Sequence, residues 1–279
     1  MGGFSQHSDQ DDTKIKGSDG TEIGNIEDKL KTLSYAQKLE IQRGKIPGMS
    51  IMEAFGERED INTTTQGEDI WKGTAASIPI PAAAGEQMTL VSSNNNDRAA
   101  GTGVSSVLIC YLDATGNEQT ETVVINGTTT VNTVATNMRF IQSLHSTAVG
   151  TNGVASGNII IYKTGAASTI YNMIELGGNM SLVNNRMVPL GKTLYLQSWS
   201  ASEARDKRVM FRIRSTDFDG VINPGIFLFK DSVYIKKTAS GDLPVKAVIP
   251  ELSIVKITAW ADQPDAEGSA RWWGVLIDN

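Results

Sequence analysis

The sequence predicts an all-β protein: two β-sandwich or jelly-roll-like units preceded by an extended N-terminal arm with one short helix. Three observations lead there. From Trp71 onward, short apolar runs recur about every 8–15 residues between turn signals, which is the spacing of sandwiches and barrels. Glycine is abundant at 27 residues, with Ser, Thr and Asn also plentiful, a mixture that favours turns and short strands. Charge is unevenly placed: residues 1–69 hold 14 acidic and 8 basic side chains, whereas residues 70–279 hold 17 of each. That step sets the first domain boundary. The 279-residue chain, 40% hydrophobic and 20% charged, is long enough to bury a sizeable core.

The arm, residues 1–69, begins with Asp9, Asp11, Asp12 and Asp19 among Ser, Gln and Lys. Residues 1–24 have little to bury and are expected to order against a partner subunit, with packing back on the chain's own body as the alternative. Ile26, Leu30, Leu33 and Ile41 recur at helical spacing, so a helix is expected over 26–43, with Asn25 as N-cap and Gly44 as its stop. The first β unit is placed at 70–166. It starts with Met88–Val91 and Val104–Leu112, then the turn Asp113-Ala114-Thr115-Gly116-Asn117 and the return strand Gln119–Ile125. Asn126-Gly127 marks a tight turn, followed by a strand over 128–134 and further strands over 139–144 and 158–162. The second unit, 167–279, holds strands over 193–199 and 207–214, a pair over 225–229 and 232–237, and closing strands over 253–260 and 270–277.

Little in the chain points to catalysis. The histidines are His7 and His145, and a single histidine near a strand end reads as structural. Cys110 lies in an apolar run, which reads as a buried, inert thiol; one cysteine excludes an intrachain disulfide and a Cys-rich zinc site. Gly191-Lys192-Thr193 looks like the end of a phosphate loop, but Arg186 stands where its first glycine is required. Asp9, Asp11 and Asp12 lack the alternate spacing and closing Glu of a calcium loop. Asn94-Asn95-Asn96-Asp97 reads as a solvated loop, with a cation or sugar as the rarer alternative. No catalytic, cofactor or metal residues are assigned. The net charge of −6 argues against nucleic acid as partner, and no apolar run approaches a membrane span.

Interaction is the stronger theme. Trp272 and Trp273 are adjacent in a predicted strand, so one faces inward and one outward; the outward ring marks a subunit interface or a glycan platform. Trp199 and Trp260 are expected in the core. Arg208, Arg212 and Arg214 alternate with apolar residues and belong on one strand face. These five residues, Trp272, Trp273, Arg208, Arg212 and Arg214, are the candidate interface.

Three stretches share a further resemblance: Gly44–Ser50 with Phe55-Gly56-Glu57-Arg58 and Asp69-Ile70-Trp71-Lys72-Gly73, then Leu90–Gly103 with Glu121–Thr129, then Val188–Thr193. In that order they resemble a family of tailed-bacteriophage virion structural proteins common in phages of aquatic bacteria, over residues 42–279. The resemblance implies a non-enzymatic virion component without cofactor. Its expected partners are other virion proteins, such as the major capsid or neck and tail subunits, and itself as a homo-oligomer. A capsid decoration (cement) protein is the first expectation. A tail or neck subunit that anchors fibres or touches host glycans is the alternative. A polysaccharide hydrolase is the least supported reading, because no carboxylate pair stands out at a strand end.

Overall fold

The computed structural model describes residues 15–16, 22–23, 38–65, 67–218, 221–222, 225–236 and 243–279. The chain divides into Met1–Ser50 and Ile51–Asn279. In the first unit, β1 (Ile15–Lys16) pairs antiparallel with β2 (Glu22–Ile23). The rest of residues 1–24 and most of the expected helix, 26–37, lie outside the described residues. Residues 38–42 are helical. The helix closes at Gly44, which adopts φ +66° and donates its N–H to Ile41 O at 2.9 Å, the left-handed stop that favours glycine.

The remaining strands are β3 (Met49–Ile61), β4 (Glu68–Asp69), β5 (Met88–Ser92), β6 (Val104–Asp113), β7 (Glu118–Val124), β8 (Val131–Asn132) and β9 (Met138–Val149). There follow β10 (Ile159–Lys163), β11 (Ile170–Ile174), β12 (Arg186–Met187), β13 (Lys192–Glu203), β14 (Arg208–Ser215), β15 (Asp217–Phe218) and β16 (Val221–Ile222). The chain closes with β17 (Leu228–Lys236), β18 (Leu243–Ile249), β19 (Ile254–Ala261) and β20 (Ala266–Asp278). The fold is all-β and sandwich-like, as the composition and strand spacing predicted.

Two hydrophobic cores organise it. The sheets β11-β10-β5-β8 and β7-β6-β9 enclose Met88, Leu90, Val107, Ile109, Ile141 and Ile161. The sheets β12-β19-β14-β17, with β4 also on β19, and β18-β13-β20-β3 enclose Leu196, Trp199, Phe211, Ile257 and Trp272. Two small clusters lie outside these cores: Leu112, Phe140, Met187 and Ile254, and Trp71, Ile78, Met173 and Val183.

The structure differs from the sequence reading in several places. Residues 49–61, expected in the arm, form β3, whose Met52, Ala54 and Ile61 enter the second core. The charged appearance of this stretch comes from its outward side chains Glu53 and Glu59. On its inward side, Gly56 lies so close to the 70s segment that a Cβ would sit 2.2 Å from Ile70 O. The inward Arg58 is buried and held by Glu68 at 3.1 Å, with further bonds to the carbonyls of Asp60, Gly73 and Ala75. β11, expected beyond the first unit, pairs with β10, and its Tyr171 and Ile174 belong to the first core. The strand expected over 128–134 shrinks to β8. The expected pair 225–229 and 232–237 is one strand, β17, hydrogen-bonded to β14 rather than to itself.

Candidate interaction surface

The 92–104 loop, where a ligand was the rarer alternative, is internally saturated. Asp97 is fully buried. Its Oδ1 accepts from Val104 N at 2.8 Å and Ser156 N at 2.9 Å, and its Oδ2 accepts from Ser92 Oγ at 2.6 Å. Gly127, at φ +58°, donates to Asp97 O. Asp97 therefore ties together the loop and the 150s segment through its carboxylate and the tight turn through its backbone carbonyl. A cation would have to compete with three donors already in place.

Ser143 Oγ and His145 Nε2 lie 2.8 Å apart on β9. Burial, with the positive charge of Arg186, lowers the His145 pKa. A carboxylate partner would act in the opposite direction, so the pair lacks the charge that orients a catalytic base. Cys110 is half-buried on the outward side of β6. This corrects the expectation of a buried thiol: the alternating strand turns it away from the core that Ile109 enters.

The predicted tryptophans separate as adjacent strand residues must. Trp272 is buried and donates Nε1–H to Asn184 O at 3.0 Å. Asn184 itself accepts from Ile257 N and donates to Ala270 O, linking the two sheets. Trp273 faces outward on β20, half-buried, on the same sheet as the exposed Tyr195 and Val248. Trp199 is buried. Trp260 is not a core residue as expected: it lies half-exposed on the outer face of β19, and its Nε1–H bonds Thr63 O at 2.8 Å.

The arginines lie on the outer face of the opposite sheet. Strand pairing sets Arg208 opposite Lys236, Arg212 opposite Ser232 and Arg214 opposite Phe229 on one side. On the other, Arg212 faces Thr258 and Arg214 faces Lys256. Directly paired residues share a face, so among the described residues this surface holds five cations, with Asp69 pairing Lys256 at 2.7 Å. Aromatic rings lie between them. Arg208 covers Tyr234 at 4.4 Å, Arg212 and Arg214 flank Phe229 at 4.7 and 4.8 Å, and Lys256 lies 4.0 Å from the Phe227 ring. Phe229 and Tyr234 are 58% and 54% exposed, so the stacking leaves them open to solvent.

Two opposing effects meet on this face. Like charges opposite each other cost about 0.2–1 kcal/mol per pair, and strands about 4.8 Å apart lie well inside the screening length of physiological salt. Each exposed cation–π contact returns about 0.5–1 kcal/mol. The rings therefore roughly offset the repulsion and hold the guanidinium groups flat, but leave the surface net positive among the described residues. Among the described residues no carboxylate forms an ion pair with Arg208, Arg212 or Arg214. Burial, and next the charge of Arg212, lower the Arg214 pKa, while Asp69 acts against them.

The five predicted interface residues therefore do not make one patch. Trp273 and the arginines occupy opposite faces of the second sandwich, and Trp272 lies between them in the core. The sequence reading missed Phe229 and Tyr234. The register shift between Ile213 and Arg214 skips Lys230 in the pairing. An odd-numbered and an even-numbered residue then share a face, and period-two alternation fails to join them.

Neither a protein family nor a curated protein matches the chain. Among solved structures, the chain resembles the structure of the infectious bursal disease virus Gx strain at 10% identity and a TM-score of 0.21, covering 82% of this chain and 71% of that one. It also resembles the crystal structure of the infectious bursal disease virus VP2 subviral particle at 10% identity and a TM-score of 0.19, covering 84% and 73%. Likeness at this level carries no argument about the chain.

Proposed function

We propose that the chain is a non-enzymatic virion structural protein of a bacteriophage, located in the particle, that decorates the capsid and stabilises neighbouring subunits. The observation that carries the reading is the cation–aromatic face of β14 and β17. It concentrates net positive charge and exposed rings on a sheet face, the composition of a protein–protein contact rather than of a reaction centre. The motif resemblance over residues 42–279 supports the same reading. The division into an arm and two sandwiches remains part of the proposal, with β3 and β4 belonging to the second sandwich and the residues before them engaging a partner subunit. Weak contacts of this kind hold a subunit firmly when repeated around a particle.

A tail or neck subunit is the alternative, favoured by the outward Trp273 beside Tyr195 on a sheet face where a glycan ring could stack. Cryo-electron microscopy of particles containing the chain tests both. Density at icosahedral lattice positions is the expected result. Density confined to the tail axis would transfer the protein there, and absence of the chain from purified particles would overturn the proposal.

A further inference from the structure

The two outer faces of the second sandwich are chemically complementary. We propose that they dock on each other between successive copies of the chain, the basic face of β14 and β17 against the acidic face of β3 and β20. This rests on reading the chain as a building block, and names a second copy as one of its partners.

The acidic face is built around Lys72. Its ammonium contacts Glu59 at 2.9 Å, Glu175 at 3.2 Å and Glu57 at 3.4 Å. Three carboxylates on one ammonium leave net negative charge; the nearby Glu267–Arg205 pair is neutral, and the outward Arg271, bonded to Ser200, returns one positive charge farther along β20. A cleft of about 150 Å³ opens between Glu57, Glu59, Lys72, Ser202 and Glu267, with Arg58, already neutralised by Glu68, in its wall, room for a guanidinium group. Burial alone would lower the Lys72 pKa, but its hydrogen bonds to Glu59 and Glu175 raise it well above the ordinary lysine value. Farther along the same sheet, about 23 Å from Ser202 at 3.3 Å per residue of β13, the exposed Tyr195 and Val248 offer apolar ground for incoming rings.

The basic face supplies what this surface lacks. Arg208, Arg212 and Lys236 bring the positive charge, and the exposed Phe229 and Tyr234 bring the rings. Because the two faces belong to opposite sheets of one sandwich, a chain cannot satisfy itself. The contact is heterologous, and it propagates head to tail into a ring or a filament. β14 runs about 26 Å at 3.3 Å per residue, so one contact is smaller than a standard interface and of about micromolar to millimolar strength. Nucleic acid would engage the basic face and leave the acidic one without a role.

Paired charge reversals followed by sedimentation velocity test this on the full chain. One variant carries Arg208→Glu and Arg212→Glu; the other carries Glu57→Lys and Glu59→Lys. Wild type is expected to grow beyond a dimer with concentration. Each variant alone should associate at least about tenfold more weakly. Their equimolar mixture should associate again, because each brings one intact face and the two reversed faces now carry opposite charges. If a reversal prevents folding, Arg208→Gln with Arg212→Gln, or Glu267→Lys alone, makes the same comparison. Variants that assemble like wild type, a mixture that stays monomeric, or assembly displaced by a single-stranded oligonucleotide would each overturn the proposal. A wild type that stays monomeric yet is found in particles would overturn this contact and leave the building-block reading standing.

Discussion

Replacing Asp97 by alanine tests whether the 92–104 loop is a structural knot. The substitution removes the acceptors of Val104 N, Ser156 N and Ser92 Oγ at a fully buried position. Each buried donor left unpaired costs about 1–3 kcal/mol. Water entering the vacated space recovers part of this, so the loss should be about 3–5 kcal/mol. Asp97→Asn retains one oxygen acceptor for the two backbone donors and should cost only about 1–2 kcal/mol. Urea unfolding followed by far-ultraviolet circular dichroism reads the difference. With a slope of about 2 kcal/mol per molar, Asp97→Ala should lower the midpoint of the first sandwich by about 1.5–2.5 M. An alanine variant within about 0.5 kcal/mol of wild type would refute the reasoning, and so would calcium stabilisation that Asp97→Asn abolishes.

Two further outcomes follow from buried charge. Glu68→Ala leaves the buried Arg58 without its carboxylate and should cost about 3–5 kcal/mol in denaturant unfolding, whereas Arg58→Met with Glu68→Met should recover most of that loss. Glu86 accepts hydrogen bonds from Lys163 and Tyr171. Burial alone would raise its pKa, but these bonds hold it below the usual value of 4.5. Its stabilising contribution is therefore present above about pH 4.5 and is lost as pH falls through the folded-state value. Burial, then the Glu86 bond and charge, raise the Tyr171 pKa above 10.0, so its contribution is lost as pH rises above about 10. Tyr171→Phe should flatten the alkaline loss and reduce the acid one in melting temperature against pH; unchanged profiles would contradict the assignment.

How much was legible depended on whether a strand's partners lay close in sequence. The β6–β7 hairpin was readable because apolar alternation flanks a turn in which Asp113 Oδ1 accepts from Thr115 N and Asn117 N, and Gly116 takes φ +96°. β3 was hidden because its inward face carries Gly56, which lets the Ile70 carbonyl approach, and Arg58, whose partners Glu68, Gly73 and Ala75 lie across a loop. β17 was hidden by a bulge. At the surface, the alternation of Arg208, Arg212 and Arg214 was visible in the sequence. Their stacking on Phe229 and Tyr234 depended on that bulge, and their separation from Trp273 depended on which sheet each strand joined.

Cysteine cross-linking measures the proposed contact most directly. In a Cys110→Ser background, Ser232→Cys marks the basic face and Ser269→Cys marks the acidic face. Oxidising a mixture of the two single-cysteine chains should yield a linked heterodimer, while either chain alone stays uncoupled. Equal linking by one variant alone, or assembly that proceeds without any link between the two, would contradict head-to-tail docking.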